Sequence, residues 1–403
     1  MDEVTIPLAK APEAGGRRAY GPGGELEVAA VGVSTSPTCG VRDHALLLAN
    51  ALKQRDVRCS LQWLWRTDRS LGGSRSEIQH WTQRLAAELD HRRPDVVLLH
   101  YSVFSYSYRG VPLFVGPTLS ALRRIRVPVV TVLHEYAYPW GRSGLRGTAW
   151  AIAQRAWLID VMRASAAAIV TVDYRVDWLG SRPWLPKRPI AVAPVFSNLP
   201  PPTPHDAHSD QSPARIGLFG YTYDRVAVAL VLDALGLLEE RHVRVQLVLL
   251  GAPGARSGAG EAWLEAARSR RLTRPPVFSG TLSAQDLSDA LARCDVLLFA
   301  DSPGPTSRKT TLAASLASGT PVVALDGPRT WRELADAEAA LIAPRTAAGL
   351  ADSIGGLLGD RGAREALGRR GGEFAGQAMS VAASAEVVAA VLQDAVGDHA
   401  LER

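Results

Sequence analysis

Short, uninterrupted apolar runs recur along this chain, and longer amphipathic stretches separate them. In the first half, strands are predicted at Glu27–Val33, Arg58–Trp63, Asp95–His100, Val127–His134, Ala167–Val172 and Ile190–Val195. In the second half they are predicted at Arg215–Phe219, Val243–Leu250, Val277–Ser279, Asp295–Ala300, Pro321–Leu325 and Ala339–Ile342. Continuous apolar strands separated by helices are typical of parallel sheets with both faces covered. The pattern predicts an α/β protein with two doubly wound, Rossmann-like domains.

A change of composition divides the two sets of strands. The stretch from Ser197 to Ala214 is rich in proline, polar and without periodicity, which is typical of a linker. The predicted organisation is a flexible N-terminal segment (1–24), a first domain (25–196), the linker (197–214), a second domain (215–378) and a C-terminal helix (379–403) that packs back on the first domain. Two such domains imply a ligand-binding cleft between the carboxyl ends of two sheets.

Composition limits the partners and the compartment. The formal net charge is only +5, from 45 basic and 40 acidic residues, and no long basic block stands out, which argues against nucleic acid. Three scattered cysteines indicate neither a disulfide framework nor a zinc cluster. The polar N-terminal residues do not resemble a signal peptide, and no run of about 18 apolar residues predicts a membrane span. We expect a cytoplasmic protein; peripheral membrane contact stays open. The abundance of Ala, Arg and Gly is typical of high-GC bacterial genomes.

Two other α/β classes fit the sequence less well. A dinucleotide-dependent dehydrogenase needs a G-x-G-x-x-G fingerprint directly after a strand. The first strand is followed by VSTSPTCGVRDH, and Gly251-Ala252-Pro253-Gly254 in the second half is incomplete. A periplasmic binding protein would need a signal peptide.

Two candidate segments lie in the first domain. In SPTCGVRDH, Gly40 precedes the first helix, where backbone N–H groups and the helix N-terminus suit a phosphate. The alternative is a plain turn that needs glycine for its geometry. His134 ends a buried strand, where it can hydrogen-bond a hydroxyl or a phosphate, although a purely structural histidine is also compatible. His100 and Tyr101 hold the same position on the preceding strand, with an ordinary cleft wall as the stronger alternative.

The third candidate segment lies in the second domain, after the strand Asp295–Ala300. Arg308 and Lys309 are predicted to open a helix there, next to the hydroxyl groups of Ser307, Thr310 and Thr311. Cations in a first helical turn oppose the helix dipole, which favours a bound anion such as a diphosphate. A solvated helix start is the alternative.

From Val28 to Val396, the sequence resembles retaining GT-B glycosyltransferases of family 4. The similar segments are SPTCGVRDHALLLANAL (36–52), Pro94–Pro112, Val127–Tyr136, APVFSNLP (193–200) and the Gly319-Thr320-Pro321-Val322-Val323 element. Each is weak alone, but their order and spacing are specific. The resemblance implies transfer of a sugar from a nucleotide-diphosphate sugar to an acceptor hydroxyl, with retention and without an obligatory metal or other cofactor. The first domain would hold the acceptor and the second the donor.

The chain departs from that family at a functional position. The family carries two Glu residues eight positions apart before the Gly-Thr-Pro element, and here those positions are Thr306 and Ala314. The family's contacts of these Glu residues with donor sugar and ribose therefore do not transfer. A lysine expected after the first strand of the second domain is also shifted, and the nearest cation is Arg225.

The resemblance assigns roles to the candidate residues. His134 is the catalytic candidate on the donor sugar, and Asp43, His100 and Tyr101 lie on the acceptor side. The donor-binding set comprises Gly40, Arg225, Ser307, Arg308, Lys309, Thr310 and Thr311. The expected partners are a nucleotide sugar and a small-molecule or glycan acceptor. Three alternatives remain: a GT-B sugar-nucleotide epimerase, a catalytically inactive paralogue acting as a partner subunit, and a binding module without chemistry.

Overall fold

The computed structural model describes residues 25–36, 39–142, 144–204, 213–221 and 223–401. The predicted N-terminal segment 1–24 and residues 205–212 of the predicted linker lie outside the described residues. The described residues form two compact units. The first runs up to Ala193 and also takes in the chain from Ser384 onward, and the second is Pro194–Ala383.

The first unit contains a parallel sheet of six strands with helices between them. Its strands are Leu26–Ser34 (β1), Val57–Trp65 (β2), Val96–Ser102 (β3), Val129–Glu135 (β4), Ala167–Val170 (β5) and Ile190–Val192 (β6). Its helices are Gly40–Leu52 (α1), Leu71–Arg92 (α2), Val115–Arg124 (α3), Gly144–Ala164 (α4) and Tyr174–Gly180 (α5), and a 3-10 turn at Lys53–Arg55 follows α1.

The second unit contains another six-stranded parallel sheet. Its strands are Ala214–Phe219 (β7), Val245–Leu250 (β8), Val277–Gly280 (β9), Val296–Phe299 (β10), Val322–Leu325 (β11) and Leu341–Ala343 (β12). The helices are Arg225–Glu240 (α6), Gly258–Ser269 (α7), Ala284–Ala292 (α8), Thr310–Ala317 (α9), Arg332–Asp336 (α10), Ala347–Gly359 (α11) and Arg361–Ala378 (α12), and Val381–Leu401 (α13) ends the described chain. The predicted fold class, α/β with two Rossmann-like domains, is confirmed.

The strand order fixes one switch point in each sheet. The first sheet has the order β2-β1-β3-β4-β5-β6, so the order reverses between β1 and β3. The second has the order β12-β11-β10-β7-β8-β9, and it reverses between β7 and β10. Loops that leave the carboxyl ends of such a strand pair run in opposite directions and open a crevice, which is where open α/β sheets bind ligands.

The apolar strand residues account for the cores. Val31, Val97 and Leu133 of the first sheet pack with Leu85 of α2 and Leu158 of α4. In the second unit one cluster covers each face of the sheet, because both faces of a parallel sheet are covered by helices. Burial on both faces explains why these strands are continuous apolar runs in the sequence.

Helix α13 contacts the first unit through polar groups near both of its ends. Arg55 forms an ion pair with Glu386 at 3.1 Å, and Nε2 of His399 lies 2.9 Å from the carbonyl oxygen of Arg126. One face of the helix is buried, at Ala385, Val388 and Leu392.

The helical run formed by α12 and α13, Arg361–Leu401, has the length and apolarity of a membrane span. Of its most apolar 18-residue stretch, 39% is buried. The expectation of no membrane span is therefore not confirmed. That expectation rested on the absence of an uninterrupted apolar run, whereas in this segment a few charged residues stand among the alanines and valines.

Candidate functional site

Three histidines converge at the switch point of the first sheet. His44 lies in α1, which follows β1, while His100 and His134 lie near the carboxyl ends of β3 and β4. The ring centroid of His44 is 6.2 Å from that of His100 and 5.3 Å from that of His134. The rings of His100 and His134 stack, with centroids 5.4 Å apart. The sheet thus gathers imidazoles that are distant in the sequence.

A hydrogen bond joins two of these rings. Nδ1 of His100 lies 3.1 Å from Nε2 of His134, so one of the two nitrogens carries the shared proton. Nε2 of His100 is buried and has no partner among the described residues. Burying a ring nitrogen without a hydrogen-bond partner costs less free energy when that nitrogen is an unprotonated acceptor than when it is an N–H donor. This favours a proton on Nδ1 of His100, which leaves the other ring nitrogen of His134, Nδ1, as an N–H donor.

Burial keeps this cluster neutral. It lowers the pKa of His44 to about 4 and that of His100 to about 3, in the second case with help from the nearby His44. The pKa of His134 is also well below its usual value, through burial first and then through His44, His100 and Arg175. Neutral imidazoles can both donate and accept hydrogen bonds, which suits the recognition of sugar hydroxyls.

Arg175 holds the end of β4 in place. Its Nη1 donates hydrogen bonds to the carbonyl oxygens of Leu133 (3.2 Å) and His134 (2.8 Å). The guanidinium also lies over the ring of Tyr136, 4.9 Å from its centroid. This buried cation fixes the backbone from which the His134 side chain projects.

The other predicted residues of the first unit lie in different surroundings. Gly40 is the first residue of α1, whose N-cap Cys39 makes no side-chain cap. Asp43 is exposed, whereas His44 turns toward the other two histidines. Tyr101 is buried in the core and stacks on Tyr106, since neighbouring strand residues face opposite ways. His44 was missed by sequence reasoning, although its position one helical turn after Gly40 was an available signal.

The loop from Asp301 to Lys309 follows β10 at the switch point of the second sheet. The prediction that Arg308 and Lys309 form the first turn of a helix was wrong: α9 begins at Thr310, and Lys309 is its N-cap. The side chains of Thr306 and Ser307 are buried, and Arg308 is partly buried. Lysine has no acceptor atom with which to cap the helix, so the first N–H groups of α9 lack the side-chain cap that Asp224 gives α6.

The charges at this edge are more balanced than the sequence suggested. Nζ of Lys309 lies 2.8 Å from a carboxylate oxygen of Asp301, so this cation already has an anionic partner within the loop. Ser302 donates to Asp224, and Arg345 donates to the carbonyl oxygen of Ser302 at 2.7 Å. Hydrogen bonds from Ser302 and from the backbone of α6 lower the pKa of Asp224.

Sequence reasoning did not identify Asp224, Asp301, Ser302 or Arg345. Their signal was position alone: Asp224 precedes Arg225 after β7, and Asp301 and Ser302 begin two residues after the end of β10. Arg225 is the first residue of α6 and is exposed. Thr310 is exposed and Thr311 is partly buried at the start of α9.

Gly220 brings the loop after β7 against α9. Its φ angle is +71°, in the left-handed region that favours glycine. A Cβ atom on Gly220 would lie 2.7 Å from Cγ2 of Thr311, closer than van der Waals contact allows. The loop after β7 is therefore packed against the first turn of α9 through a glycine.

Small residues occupy the two positions at which the resembling family has Glu. Ala314 is buried within α9. Thr306 is also buried, and its hydroxyl has no partner among the described residues. Neither side chain can supply a carboxylate. Within the described part of the chain, no group of three or more His, Cys, Asp or Glu side chains has the arrangement of a metal site.

Comparisons with known proteins agree with this architecture. The family model described as Glycosyl transferases group 1 matches residues 213–360. Sucrose-phosphate synthase from Thermosynechococcus elongatus is 14% identical with a TM-score of 0.64, over 93% of this chain and 100% of that chain. HepE from Anabaena, solved with UDP and glucose, is 16% identical with a TM-score of 0.61, over 91% and 99%.

A third solved structure belongs to a different activity class. A putative UDP-N-acetylglucosamine 2-epimerase from Listeria monocytogenes is 12% identical with a TM-score of 0.57, over 93% of this chain and 98% of that chain. No curated protein sequence matches this chain. The family match identifies residues 213–360 as a glycosyl transferases group 1 domain, and the similarity to solved structures shows that the chain has the GT-B fold that the sequence predicted. Its glycosyl transferases group 1 domain lies in the second unit.

Proposed function

We propose that this protein transfers a sugar from a nucleotide-diphosphate sugar to an acceptor hydroxyl, with retention of the anomeric configuration. The observation that carries the proposal is the family match over residues 213–360, which spans both loops of the second switch point. HepE, a protein of the same fold, was solved with UDP and glucose, which supports a nucleotide sugar as donor. The resemblance to retaining family 4 enzymes supports retention.

In this proposal the second unit binds the donor diphosphate. The uncapped N-terminus of α9 offers backbone N–H groups to an anion, and Arg308 and Lys309 stand directly before it. A diphosphate would compete with Asp301 for Lys309, which lies 2.8 Å from that carboxylate. Arg308 would then carry more of the charge that develops on the leaving diphosphate. The nucleotide diphosphate leaves by electrostatic stabilisation, and no obligatory metal is proposed.

The first unit positions a sugar hydroxyl. His134 donates from Nδ1 to the donor sugar, and His100 holds the His134 ring by the hydrogen bond to its Nε2. His134 is the proposed catalytic residue because it would contact substrate, and His100 is a positioning residue. His44 completes the cluster, and Gly40 leaves the N-terminus of α1 open for a polar group of the acceptor or donor.

A sugar-nucleotide epimerase is the second candidate function. The likeness to the putative UDP-N-acetylglucosamine 2-epimerase favours it, since the same fold then serves a reaction without an acceptor. A third reading, a catalytically inactive partner subunit, follows from the missing Glu pair. The three functions differ in what happens to the donor: transfer or hydrolysis, interconversion of the sugar, or no turnover.

A donor screen followed by product analysis tests the proposal. UDP-, GDP- and dTDP-sugars are added singly, and the melting temperature is measured by differential scanning fluorimetry. A ligand at 100 times its Kd stabilises the fold by about 2.7 kcal/mol. The stabilising donor is then incubated with the protein with and without candidate acceptors, and nucleotide diphosphate and sugar products are separated by chromatography. Nucleotide diphosphate release, with the product's anomeric configuration read by NMR, supports transfer. An epimerised nucleotide sugar without release identifies the epimerase, and a bound but unchanged donor identifies an inactive subunit.

A further inference from the structure

The outward face of α4 is apolar. Leu145, Ala149, Ile152 and Ala156 follow one another at intervals of four, three and four residues, so they form a single stripe along the helix. All four are exposed, Leu145 to 92% and Ile152 to 57%. An exposed helix stripe in a folded domain normally carries polar or charged residues. This stripe is therefore unusual for a face in contact with water alone.

Arginines and tryptophans border the stripe. Trp140 is 56% exposed, and the guanidinium of Arg155 lies 4.4 Å from its ring centroid. Arg146 lies 4.7 Å from the ring centroid of Trp150, and Arg142 is exposed. From position 136 to position 159 the sequence contains three arginines and no Asp or Glu. This border is aromatic and uniformly positive.

The loop after β3 packs against α4. Gly110 packs against the Trp150 ring, and Nε2 of Gln154 donates to its carbonyl oxygen at 2.9 Å. Two further exposed apolar side chains of this loop are Phe104 and Leu113.

Helix α5 and the residues that follow it carry more aromatic and cationic groups. Arg182 lies 4.9 Å from the ring centroid of Trp178, which contacts Trp184. The nearest acids in sequence are Glu135, the partly buried last residue of β4, and Asp160, which pairs with Arg163; the exposed Asp173 and Asp177 lie just before and within α5.

We propose that this surface, defined by Trp140, Arg142, Leu145, Arg146 and Ile152, docks the protein on an anionic membrane. Helices that lie in the membrane interface combine apolar residues on one face with basic residues beside them, and tryptophan is enriched at headgroup depth. Arginines near an anionic leaflet add electrostatic attraction. A soluble acidic protein would satisfy the arginines, but it gives no reason for an almost fully exposed Leu145. The proposal does not depend on the function proposed above.

Vesicle co-sedimentation of the full-length protein tests the docking surface. One set of vesicles contains equal parts of phosphatidylglycerol and phosphatidylcholine, and the other contains phosphatidylcholine alone. We expect the protein to bind the anionic vesicles. Binding should weaken in 0.5 M NaCl, because salt screens the attraction between the arginines and the lipid headgroups, and the Debye length falls below the value of about 8 Å that holds at physiological ionic strength. The double variant Arg142→Glu/Arg146→Glu should bind at least about tenfold more weakly.

Matched variants separate docking from general charge and hydrophobicity. Arg75→Glu/Arg84→Glu changes two exposed arginines of α2 and alters the net charge equally, and it should bind like the wild type. Leu145→Ser/Ile152→Ser should also lose binding, whereas Leu71→Ser/Val277→Ser, at exposed positions elsewhere, should not. Thermal unfolding checks that each variant is folded. The proposal is overturned if the wild type does not bind anionic vesicles or binds neutral vesicles equally well. It is also overturned if the control variants lose as much binding as the test variants do.

Discussion

Nδ1 of His100 and Nε2 of His134 lie 3.1 Å apart, and the two imidazole rings stack with an angle of 19° between their planes. Only one proton fits between the two nitrogens, so the tautomer of one ring sets that of the other. His100 is buried in the sheet, whereas His134 is partly exposed at the strand end. The fully buried ring of His100 therefore fixes the hydrogen-bonding direction of the less buried His134 ring.

Replacing His134 with alanine should lower donor turnover at least tenfold while the protein stays folded. The variant loses an N–H donor that we propose to contact the donor sugar, and tenfold corresponds to about 1.4 kcal/mol of transition-state stabilisation. Nucleotide diphosphate release measures the rate, and far-UV circular dichroism measures the fold. His80→Ala, an exposed histidine of α2, is the control. A His134→Ala enzyme as fast as this control would leave His134 with a structural role only.

His100→Asn and His100→Phe should separate positioning from packing. Phenylalanine fills the site but cannot hydrogen-bond His134, so we expect kcat to fall several-fold with a smaller change in the donor KM. The amide N–H of asparagine can donate to Nε2 of His134, so His100→Asn should recover part of kcat. Equal losses in the two variants would mean that ring packing, not the hydrogen bond, is what matters.

The histidine cluster should make the fold sensitive to mild acid. Histidine has a pKa of about 6.5 in the unfolded chain, against about 4 for His44 and about 3 for His100 in the fold. Between these values the unfolded chain binds more protons, so the free energy of unfolding is largest above pH 6.5 and falls as the pH drops toward 4. The slope is at most about 1.4 kcal/mol per pH unit for each histidine. Carboxylates with a lowered pKa, such as Asp224, contribute mainly below about pH 5.

Urea unfolding at pH 7.5, 6.5 and 5.5 measures this dependence. His100→Asn should show a shallower loss of stability over this range than the wild type, because one neutral buried histidine is removed. His80→Asn should keep the wild-type slope, since His80 is exposed. Parallel curves for all three proteins would contradict a role of the cluster in acid sensitivity.

Gly220→Ala should impair the second switch point. The substitution forces an L-residue to φ +71° and puts its Cβ 2.7 Å from Cγ2 of Thr311. We expect a destabilisation of about 1 kcal/mol or more, together with weaker donor binding, because α9 must shift. Gly254→Ala provides a control at a positive φ of 93° with no atom near the added Cβ. A loss of donor binding in Gly254→Ala equal to that in Gly220→Ala would assign the effect to backbone strain alone.

The strands could be predicted from the sequence because a strand that is buried on both faces appears as a continuous apolar run. Each of the twelve predicted strands overlaps an observed one, from β1 at Leu26–Ser34 to β12 at Leu341–Ala343. No comparable sequence pattern indicates the order of the strands within each sheet, since that order depends on which helices cover which face. The positions of the switch points therefore came only with the structure.

The candidate sites were predictable only in part for the same reason. His100 and His134 were identified by their place at strand ends, but their hydrogen bond and the approach of His44 depend on the pairing of β3 with β1 and β4. Lys309 was predicted to open a helix and bind an anion, whereas its partner in the structure is Asp301, eight residues earlier, across a loop whose path has no periodic signal. Pairwise contacts between loops have to be observed.

Arg308→Ala should reduce kcat/KM for the donor at least tenfold. Arg308 directly precedes the N-cap of α9, the helix has no side-chain cap, and Lys309 is already paired with Asp301. A diphosphate at this helix end gains charge as it leaves, so a guanidinium nearby acts more on the rate than on ground-state binding. Losing one such contact costs about 2–4 kcal/mol, or roughly 30- to 1,000-fold in rate. Arg308→Lys should restore activity incompletely, because the bidentate fork is lost. Steady-state kinetics with the stabilising donor measure this, and Arg369→Ala, at an exposed position of α12, is the control. Equal kcat/KM values for Arg308→Ala and Arg369→Ala would mean that the donor diphosphate does not bind at this helix end.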